Sequence, residues 1–567
     1  MVQFDEDKQA RQLDDLKKAE EEELVQILAE QKYGIPYANL ATTLVENEAL
    51  RYVSEKEAKE WQIAPFKLLG KNIHIGIRSP ERPEVLEFEK ELKKKGLTPH
   101  FYMVSLASLE KVWERYGELS FASTSRVGGL DISATVIEEL KAKLKNVNDV
   151  KSELEALMKT NEAHKVSHIL EIILAGAIGI NASDVHIEPE QDYVRLRFRL
   201  DGVLQDIYHF GYDIHKLLNS RLKLISGMKL TTQAIAQDGR FSIFLGTDEI
   251  SMRVSIVPGA YGEGIVMRIL NPKSIQVNLE EMGIDDKLFN IMMTEIAKPN
   301  GMILITGPTG SGKTTTLYAF LRKIYTPEIK MMTIEDPVEY HLEGITQTQT
   351  EIEKGYGFLE GLRAALRQDP DVIMVGEIRD ADTAKTAVEA ALTGHLVFST
   401  LHTNNAAGVI PRLIDLDVNP KTLVSALTLS IAQRLVRKLC QNCKKEITEP
   451  NPKDIELIRN ILKSAQEEGK DLSKYNLSPD MPIKLWGPVG CELCNFTGYK
   501  GRLGVFEAIH TTEEIEKIIP NNPSEREIKK IAEGEGLLDM KEDGVVKILK
   551  GITSLEEVAD VVDMYED

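Results

Sequence analysis

Residues 301–316 read GMILITGPTGSGKTTT, and this stretch decides the fold of the chain. The apolar segment 302–305 predicts a buried strand, which leads into a glycine-rich loop and then into a helix after Lys313. In such a strand–loop–helix arrangement, backbone N–H groups and the lysine ammonium bind the phosphates of a nucleoside triphosphate, and the next hydroxyl, here Thr314, binds Mg²⁺. A plain glycine turn is the weaker alternative. The residues predicted to contact the nucleotide are Gly307, Pro308, Thr309, Gly310, Ser311, Gly312, Lys313, Thr314 and Thr315.

The overall composition excludes several classes of protein. The chain has 567 residues, which predicts roughly three or four domains of ordinary size. Its net charge is 69 − 89 = −20, which argues against a general nucleic-acid-binding protein because such proteins carry basic surfaces. The acidic N-terminus is unlike a signal peptide, and no apolar run reaches the ~18 residues that a membrane span needs. We therefore expect any membrane role to depend on a partner protein.

Composition and periodicity divide the chain into five parts. They predict a charged helical leader, a first N-terminal α/β domain, a linker whose second half is helical, a second N-terminal α/β domain and a nucleotide-binding domain. The predicted bounds are 1–32, 33–118, 119–160, 161–272 and 273–567. In the second N-terminal domain, residues 194–200 alternate apolar side chains with arginines, as in a half-buried strand, and Asp201-Gly202 predicts a type I′ hairpin.

The last domain alternates strands and helices around the glycine-rich loop. This pattern predicts an α/β fold with a doubly wound, mostly parallel sheet. An insertion at 440–502 interrupts the pattern, and a helical tail at 512–567 follows it.

Three motifs after the loop end apolar strands in polar residues. Residues 331–340 read MMTIEDPVEY, residues 371–380 read DVIMVGEIRD, and residues 393–403 read TGHLVFSTLHT. Since the carboxyl ends of parallel strands meet at one sheet edge, we expect their polar side chains beside the nucleotide. Triphosphate hydrolysis needs carboxylates and an orienting group there. The side chains that the motifs offer are Glu335, Asp336, Glu377, His395 and His402.

These side chains also have structural interpretations. A helix cap or a surface turn explains Glu335 and Asp336 about as well as a catalytic role does. For His395, at the start of the third motif, a core or turn histidine is the favoured interpretation. His402, at the end of its strand, is better placed to sense a γ-phosphate.

The ordered set GPTGSGKTTT, TIEDPVEY, LRQDPDVIMVGEIRD and TGHLVFSTLHTN resembles the secretion-ATPase superfamily, and within it the type IV pilus assembly and type II secretion ATPases. The segments ASDVHIEP, VRLRFRLDGVL and QDGRF resemble the second N-terminal domain of that family, and residues 33–116 resemble its first domain less specifically. The resemblance implies a RecA-like P-loop ATPase core that uses ATP and Mg²⁺. It also implies a cytoplasmic homohexamer, peripheral at the inner face of the cytoplasmic membrane, that works with an inner-membrane platform protein and the pilin-assembly machinery.

The resemblance also implies roles for individual residues. Glu335 matches the general base, Glu377 the Walker B position near Mg²⁺, and His402 the His-box position. Arg253 and Arg268 match arginines that reach the nucleotide from the smaller domain. From the residues alone, each arginine lies on an apolar segment and needs an anionic partner, which a structural carboxylate supplies equally well. Further site candidates are Asp336, Glu339, Arg240 and His395.

All four cysteines fall in two CxxC pairs, Cys440/Cys443 and Cys491/Cys494. Two such knuckles predict a structural zinc ion held by four thiolates, with free thiols or redox pairs as the weaker alternatives. The absence of other cysteines fits a reducing compartment. The resemblance adds that the assembly and secretion branch of the family carries the same tetracysteine insertion.

The leading functional prediction is a motor ATPase that drives the assembly, or extension, of type IV pili. The alternative within the family is a type II secretion ATPase that drives pseudopilus assembly and protein export. Two other classes remain open, namely a DNA-uptake or nucleic-acid motor and a nucleotide-dependent regulatory switch. Because the chain is acidic, we expect no direct nucleic-acid binding.

Overall fold

The computed structural model describes residues 21–565, except 41–42, 44, 46, 51, 54, 70–71, 95–96, 115, 117–133, 161–164, 246–247 and 273–275. The chain forms two compact units, residues 1–131 and 132–567. Residues 1–20 of the predicted leader, 1–32, lie outside the described residues. The rest of the leader is helical and ends in the π-helical turn Ala29–Tyr33. Within the described ranges, no helix is both long and apolar enough to cross a membrane.

The first unit contains a three-stranded sheet covered by short helices. Strands β1 and β2 are antiparallel, whereas β2 and β3 are parallel, so the chain crosses over through a helix between them. Ile73, Ile75 and Ile77 of β2 are fully buried, as the period of two in an apolar strand predicts. The strands are Ile63–Leu69, Asn72–Ile77 and Thr98–Met103, and the helices α1–α4 are Asn47–Leu50, Glu55–Trp61, Pro83–Lys94 and Leu106–Glu114.

The second N-terminal domain, in the second unit, is built on a six-stranded antiparallel sheet in the order β6-β5-β4-β9-β8-β7. The predicted type I′ hairpin is confirmed, because Asp201 and Gly202 have φ values of +49° and +92° between two paired strands. The predicted alternation of buried apolar residues and arginines in β5 is also present. Strands β4–β9 are Asp184–Pro189, Val194–Leu200, Val203–Phe210, Gln237–Leu245, Asp248–Gly259 and Gly262–Leu270.

Four helices pack beside this sheet, and two of them lie in the predicted linker 119–160. Helices α5 (Ala134–Lys143) and α6 (Val147–Met158) contact α7 (Lys165–Gly179). The buried residues Val150, Leu154 and Leu157 of α6 form one helical face. The charged helical half of the predicted linker is therefore a packed part of the second N-terminal domain rather than a spacer. The fourth helix, α8, is Tyr212–Ile225.

The nucleotide-binding domain has a seven-stranded sheet in the order β12-β11-β13-β14-β10-β15-β18. Six strands are parallel, and only the edge strand β18 is antiparallel, so the predicted mostly parallel, doubly wound sheet is confirmed. One strand, β14, lies between the P-loop strand β10 and β13. Strands β10–β15 are Gly301–Thr306, Met331–Glu335, Thr346–Gln349, Val372–Val375, Leu396–Leu401 and Leu427–Leu439, and β18 is Tyr499–His510.

Helices cover both faces of this sheet. The helix that follows the P-loop is α10, Lys313–Ile324, and it packs under Phe398 of β14 through Phe320. The other helices of the core, α9 and α11–α14, are Asp286–Ile296, Phe358–Leu366, Ala381–Leu392, Val409–Asp415 and Pro420–Ala426.

The cysteine-bracketed insertion leaves the sheet between β15 and β18. Because these strands are antiparallel neighbours, the residues that follow the first strand and precede the second lie side by side. The insertion holds the strand pair β16 (Lys445–Glu446) and β17 (Trp486–Gly487) and helix α15 (Pro452–Glu467). The tail after β18 is helical, as predicted, with α16–α19 at Glu513–Ile518, Glu525–Ala532, Met540–Leu549 and Leu555–Ala559.

Candidate nucleotide and metal sites

The P-loop, residues 307–314, connects β10 to α10 at the carboxyl edge of the parallel sheet. Gly307, Gly310 and Gly312 have φ values of +143°, +81° and +91°, which side chains other than glycine rarely adopt. A Cβ at Gly307 would lie 2.4 Å from the carbonyl oxygen of Gln433 in β15. The loop therefore requires glycine both for its backbone and for the close approach of the neighbouring strand.

Lys313 and Thr314 begin α10. The Lys313 ammonium donates hydrogen bonds to the carbonyls of Gly307, at 2.9 Å, and Pro308, at 3.0 Å. Burial lowers the pKa of Lys313, while the negative charge of Glu377 opposes that shift. The Thr314 side chain is exposed at the N-terminus of the helix. The predicted phosphate-binding cation and hydroxyl thus lie where backbone N–H groups and the helix dipole favour an anion.

Glu377 follows β13, and its negative charge acts on Lys313. Its Oε2 lies 3.0 Å from Nε2 of His402, and its Oε1 lies 2.5 Å from Nη2 of Arg379. Although burial on its own would raise the pKa of Glu377, the hydrogen bonds from Arg379 and His402 hold it below the ordinary value. Glu377 is therefore anionic at neutral pH and has the oxygen ligands that Mg²⁺ prefers.

Glu335, at the end of β11, lies at the same sheet edge but in a buried pocket of its own. Its Oε1 accepts hydrogen bonds from Thr333 Oγ1, at 2.5 Å, and Gln347 Nε2, at 3.1 Å. Its Oε2 accepts one from the hydroxyl of Tyr318. Burial raises the pKa of Glu335, and these hydrogen bonds offset only part of the rise. A raised pKa suits a group that must accept a proton near neutral pH.

The arginines from the smaller domain are paired with carboxylates of this chain. Arg253 in β8 lies 3.1 Å from Glu339 Oε2 and donates to the carbonyl of Val338 at 2.6 Å, so it bridges the two domains. Arg268 in β9 lies 3.1 Å from Asp184 of its own domain and remains 60% exposed. Both arginines thus contact a carboxylate of this chain, which is the alternative to nucleotide binding that the sequence left open.

The remaining candidates are more scattered. Arg240 is exposed and faces Arg253 across the β7–β8 pair, and Asp336 is exposed beside Glu335. His395 precedes β14 at the amino edge of the sheet, and its Nδ1 lies 3.0 Å from the carbonyl of Ala390. The structure thus separates His395 from the P-loop edge and gives it the turn contact that the sequence favoured.

A cavity of about 680 Å³ opens between the P-loop helix and the second N-terminal domain. Gly312, Thr315 and Thr316 line one side, and Arg268 lines the other. This volume lies in the range of pockets that hold small-molecule ligands. Among the arginines predicted to reach nucleotide, Arg268 is the one that lines this space.

Sequence reasoning missed several polar residues at the site. Arg379 lies in the segment 371–380 without a predicted role, and the structure pairs it with Glu377. Gln433 and Arg434 are polar residues within the apolar strand β15. This break in the apolar pattern could have indicated that they belong to the site. Gln433 Oε1 accepts a hydrogen bond from Thr316 at 2.8 Å, and Arg434 donates to the carbonyl of Asn404 at 2.6 Å. The donors around Glu335 were also missed. Thr333 stands two positions before Glu335 on the same face of β11, whereas Tyr318 and Gln347 come from other elements and carry no sequence signal.

The four cysteines form the predicted cluster at the open end of the β15–β18 hairpin. Neighbouring sulfurs are 3.7–3.9 Å apart, and all four lie within 4.8 Å of one another. A tetrahedral zinc ion with Zn–S bonds of about 2.3 Å requires sulfurs about 3.8 Å apart. Backbone N–H groups of Gly490 and Gly498 donate to Cys443 and Cys494 at 3.3 Å. Four thiolates in this arrangement therefore fit one zinc ion. They belong to Cys440, Cys443, Cys491 and Cys494.

The tetracysteine cluster and the start of β18 also contact the second N-terminal domain. The backbone N–H of Val147, in the first turn of α6, donates to the side-chain oxygen of Asn495 at 3.0 Å. The N–H of Gly501 donates to Asp201, in the turn of the β5–β6 hairpin, at 2.9 Å. Cys494 and Asn495 line the 680 Å³ cavity as well, so the cluster forms part of the wall between the domains.

Residues 159–560 match the protein family described as type II/IV secretion system protein. The type IV pilus assembly ATPase PilB of Pseudomonas aeruginosa is 36% identical over 540 residues, which cover 94% of this chain and 90% of that protein. PilB of Myxococcus xanthus is 34% identical over 95% of this chain and 91% of that protein. The type II secretion system protein E of Aeromonas hydrophila is 42% identical over 404 residues, which cover 71% and 77% of the two chains. Because the family match spans more than half of the sequence, this chain belongs to the type II/IV secretion system protein family.

Proposed function

We propose that this chain is an ATP-hydrolysing motor that acts as a homohexamer and drives type IV pilus assembly through an inner-membrane platform protein. The observation that carries the ATPase activity is the convergence of Lys313, Glu377 and Glu335 on one edge of a parallel sheet. The pilus assignment is supported by similarity to PilB, which extends over 94% of the chain and includes the first N-terminal domain. On this proposal the motor lies in the cytoplasm, at the inner face of the membrane.

In the proposed reaction, the P-loop N–H groups and Lys313 bind the β- and γ-phosphates of ATP. Thr314 and Glu377 would hold Mg²⁺, which neutralises phosphate charge when bound. Glu335 takes a proton from the attacking water, and His402, already bonded to Glu377, senses the γ-phosphate. Arg253 and Arg268 complete the site from the smaller domain when the domains close.

The variant Glu335→Gln tests this assignment directly. It preserves the shape of the side chain but removes the base, so kcat is expected to fall at least about 100-fold while ATP still binds. Lys313→Ala is the matched control, because it is expected to lose ATP binding itself. Near wild-type hydrolysis by Glu335→Gln would exclude Glu335 as the base, and hydrolysis by both variants would refute the ATPase site.

A type II secretion motor is the second candidate, and the 42% identity to protein E of that system favours it. Cells whose only copy carries Glu335→Gln separate the two functions. Loss of surface pili with normal protein export supports the pilus motor, and loss of export with normal pili supports the secretion motor. Salt-sensitive binding of the purified chain to DNA would instead favour a nucleic-acid motor.

A further inference from the structure

We infer that Tyr318, Thr333 and Gln347 form a cage that holds the Glu335 carboxylate in a resting position, and that Tyr318 is a positioning residue for the reaction. The inference rests on the proposed role of Glu335 as the base. It adds residues that the motifs do not include, since Tyr318 and Gln347 lie outside the TIEDPVEY segment.

The cage is assembled from three elements of the nucleotide-binding domain. Tyr318 lies on α10, Thr333 on β11 with Glu335 itself, and Gln347 on the edge strand β12. Together they donate to both oxygens of the carboxylate, with Thr333 and Gln347 on Oε1 and Tyr318 on Oε2. Glu335 and Tyr318 are both buried, so these hydrogen bonds are not diluted by competing water.

Gln347 is itself held in place for this task. Its amide also donates to the carbonyl of Tyr340 at 3.1 Å, and its side-chain oxygen accepts from the N–H of Leu342 at 2.7 Å. The side chain therefore cannot rotate away from Glu335 without losing two other hydrogen bonds. The cage is a fixed arrangement of donors and not a chance contact.

Among the described residues, few charged groups act on the cage. The charge of Glu339 acts on Glu335, and Arg253 of the smaller domain pairs with Glu339. The ring of Tyr340 lies 4.7 Å from that of Tyr318, and its hydroxyl accepts a long, 3.4 Å hydrogen bond from Arg322. Tyr318 is thus the ionisable group in direct contact with the base.

Burial raises the pKa of Glu335, and hydrogen bonds to both of its oxygens oppose that rise because they favour the charged form. Withdrawal of one donor would therefore make Glu335 a stronger proton acceptor. Tyr318 is the donor that can couple this step to ATP, because it lies on the helix that begins with Lys313. Because Lys313 and Tyr318 lie on one helix, a displacement of that helix on phosphate binding would move both residues and lengthen the hydrogen bond to Oε2.

The test is the pH dependence of kcat for Tyr318→Phe. Loss of the hydroxyl removes a bond to the charged form of Glu335, so its pKa rises and the acid limb of the profile moves up by about one pH unit. Tyr340→Phe is the matched control, because it removes a neighbouring hydroxyl that does not touch Glu335, and its profile is expected to match the wild type. Thr333→Val removes a donor to Oε1 with little change of shape and is expected to shift the limb in the same direction.

The inference is refuted if the pH profiles of kcat for Tyr318→Phe and the wild type superimpose and thermal unfolding shows that the variant is folded. An equal shift in Tyr340→Phe also overturns it, since it would mark a general packing effect. If Tyr318→Phe does not fold, Thr333→Val decides alone, and an unshifted profile refutes the inference. Failure of the proposed base is seen separately, as retained turnover in Glu335→Gln.

Discussion

Gly307→Ala tests whether the P-loop depends on the close approach of β15. A Cβ at this position would lie 2.4 Å from Gln433 O, 2.8 Å from Ser311 Oγ and 3.1 Å from Arg434 Nη1. Ordinary contact begins at 3.4 Å, so the loop or the strand must move by 3.4 − 2.4 = 1.0 Å to admit the methyl group. The nearest atom is a backbone carbonyl of a central strand, which cannot rotate away.

The size of the effect follows from this displacement. A misplacement of about 1 Å in an active site can cost about 100-fold in rate, and because this loop holds the phosphates through its backbone N–H groups, we expect a loss of similar size in binding. We therefore expect the Kd for ATP to rise about 100-fold, which corresponds to about 2.8 kcal/mol of binding free energy. The positive φ adds a strain of about 1–2 kcal/mol to the folded state.

Gly394→Ala is the control that separates strain from displacement. Gly394 has a φ of +103°, but a Cβ there meets no atom within 4 Å, and the residue lies at the opposite edge of the sheet. Its substitution is expected to lower the free energy of unfolding by about 1–2 kcal/mol and to leave ATP binding unchanged. Titration with a fluorescent ATP analogue and urea unfolding of both variants supply the two measurements. If Gly307→Ala binds ATP as tightly as Gly394→Ala, the contact with β15 does not shape the loop.

Two further predictions concern the tetracysteine cluster and the domain contact. The purified chain is expected to contain about one zinc ion, measured by mass spectrometry. The variant Cys443→Ser is expected to lose the ion and to unfold at a lower temperature. Wild-type protein with almost no zinc would contradict the site. Arg253→Met removes an ion pair that is one-third exposed, so we expect the free energy of unfolding to fall by only about 0.5–1 kcal/mol. We also expect a clear loss of ATP-driven domain movement, measured by fluorescence energy transfer. Arg240→Met, on the adjacent strand, is the control, and equal behaviour of the two variants would count against a coupling role for Arg253.

Much of the fold follows from local patterns in the sequence. The P-loop strand, the type I′ turn at Asp201-Gly202 and the arginine-alternating strand depend on residues close together in the chain, and each was predicted. The tetracysteine cluster was equally accessible, because two CxxC turns and their spacing suffice to identify it. These features need no knowledge of which strands are neighbours.

What escaped prediction depends on contacts between distant segments. Glu335 meets Gln347, twelve positions later, only because β11 and β12 pair in parallel. Arg434 approaches the P-loop because β15 is placed beside β10, more than a hundred residues away in sequence. The helices before residue 160 were predicted as a spacer because their charge outweighs a narrow apolar face, and that face is what packs against α7. Periodicity alone does not identify the partner of such a face.

The single strand β15 gives the molecule a direct mechanical connection. Its Gln433 carbonyl lies close to Gly307 of the P-loop, and seven residues later the chain reaches Cys440 of the tetracysteine cluster. At about 3.3 Å per residue, the two points are roughly 23 Å apart along an extended backbone that stretches very little. The cluster and the start of β18 are in turn hydrogen-bonded to the second N-terminal domain through Asn495 and Gly501. A force on that domain would therefore be transmitted to the phosphate loop through one short strand, β15.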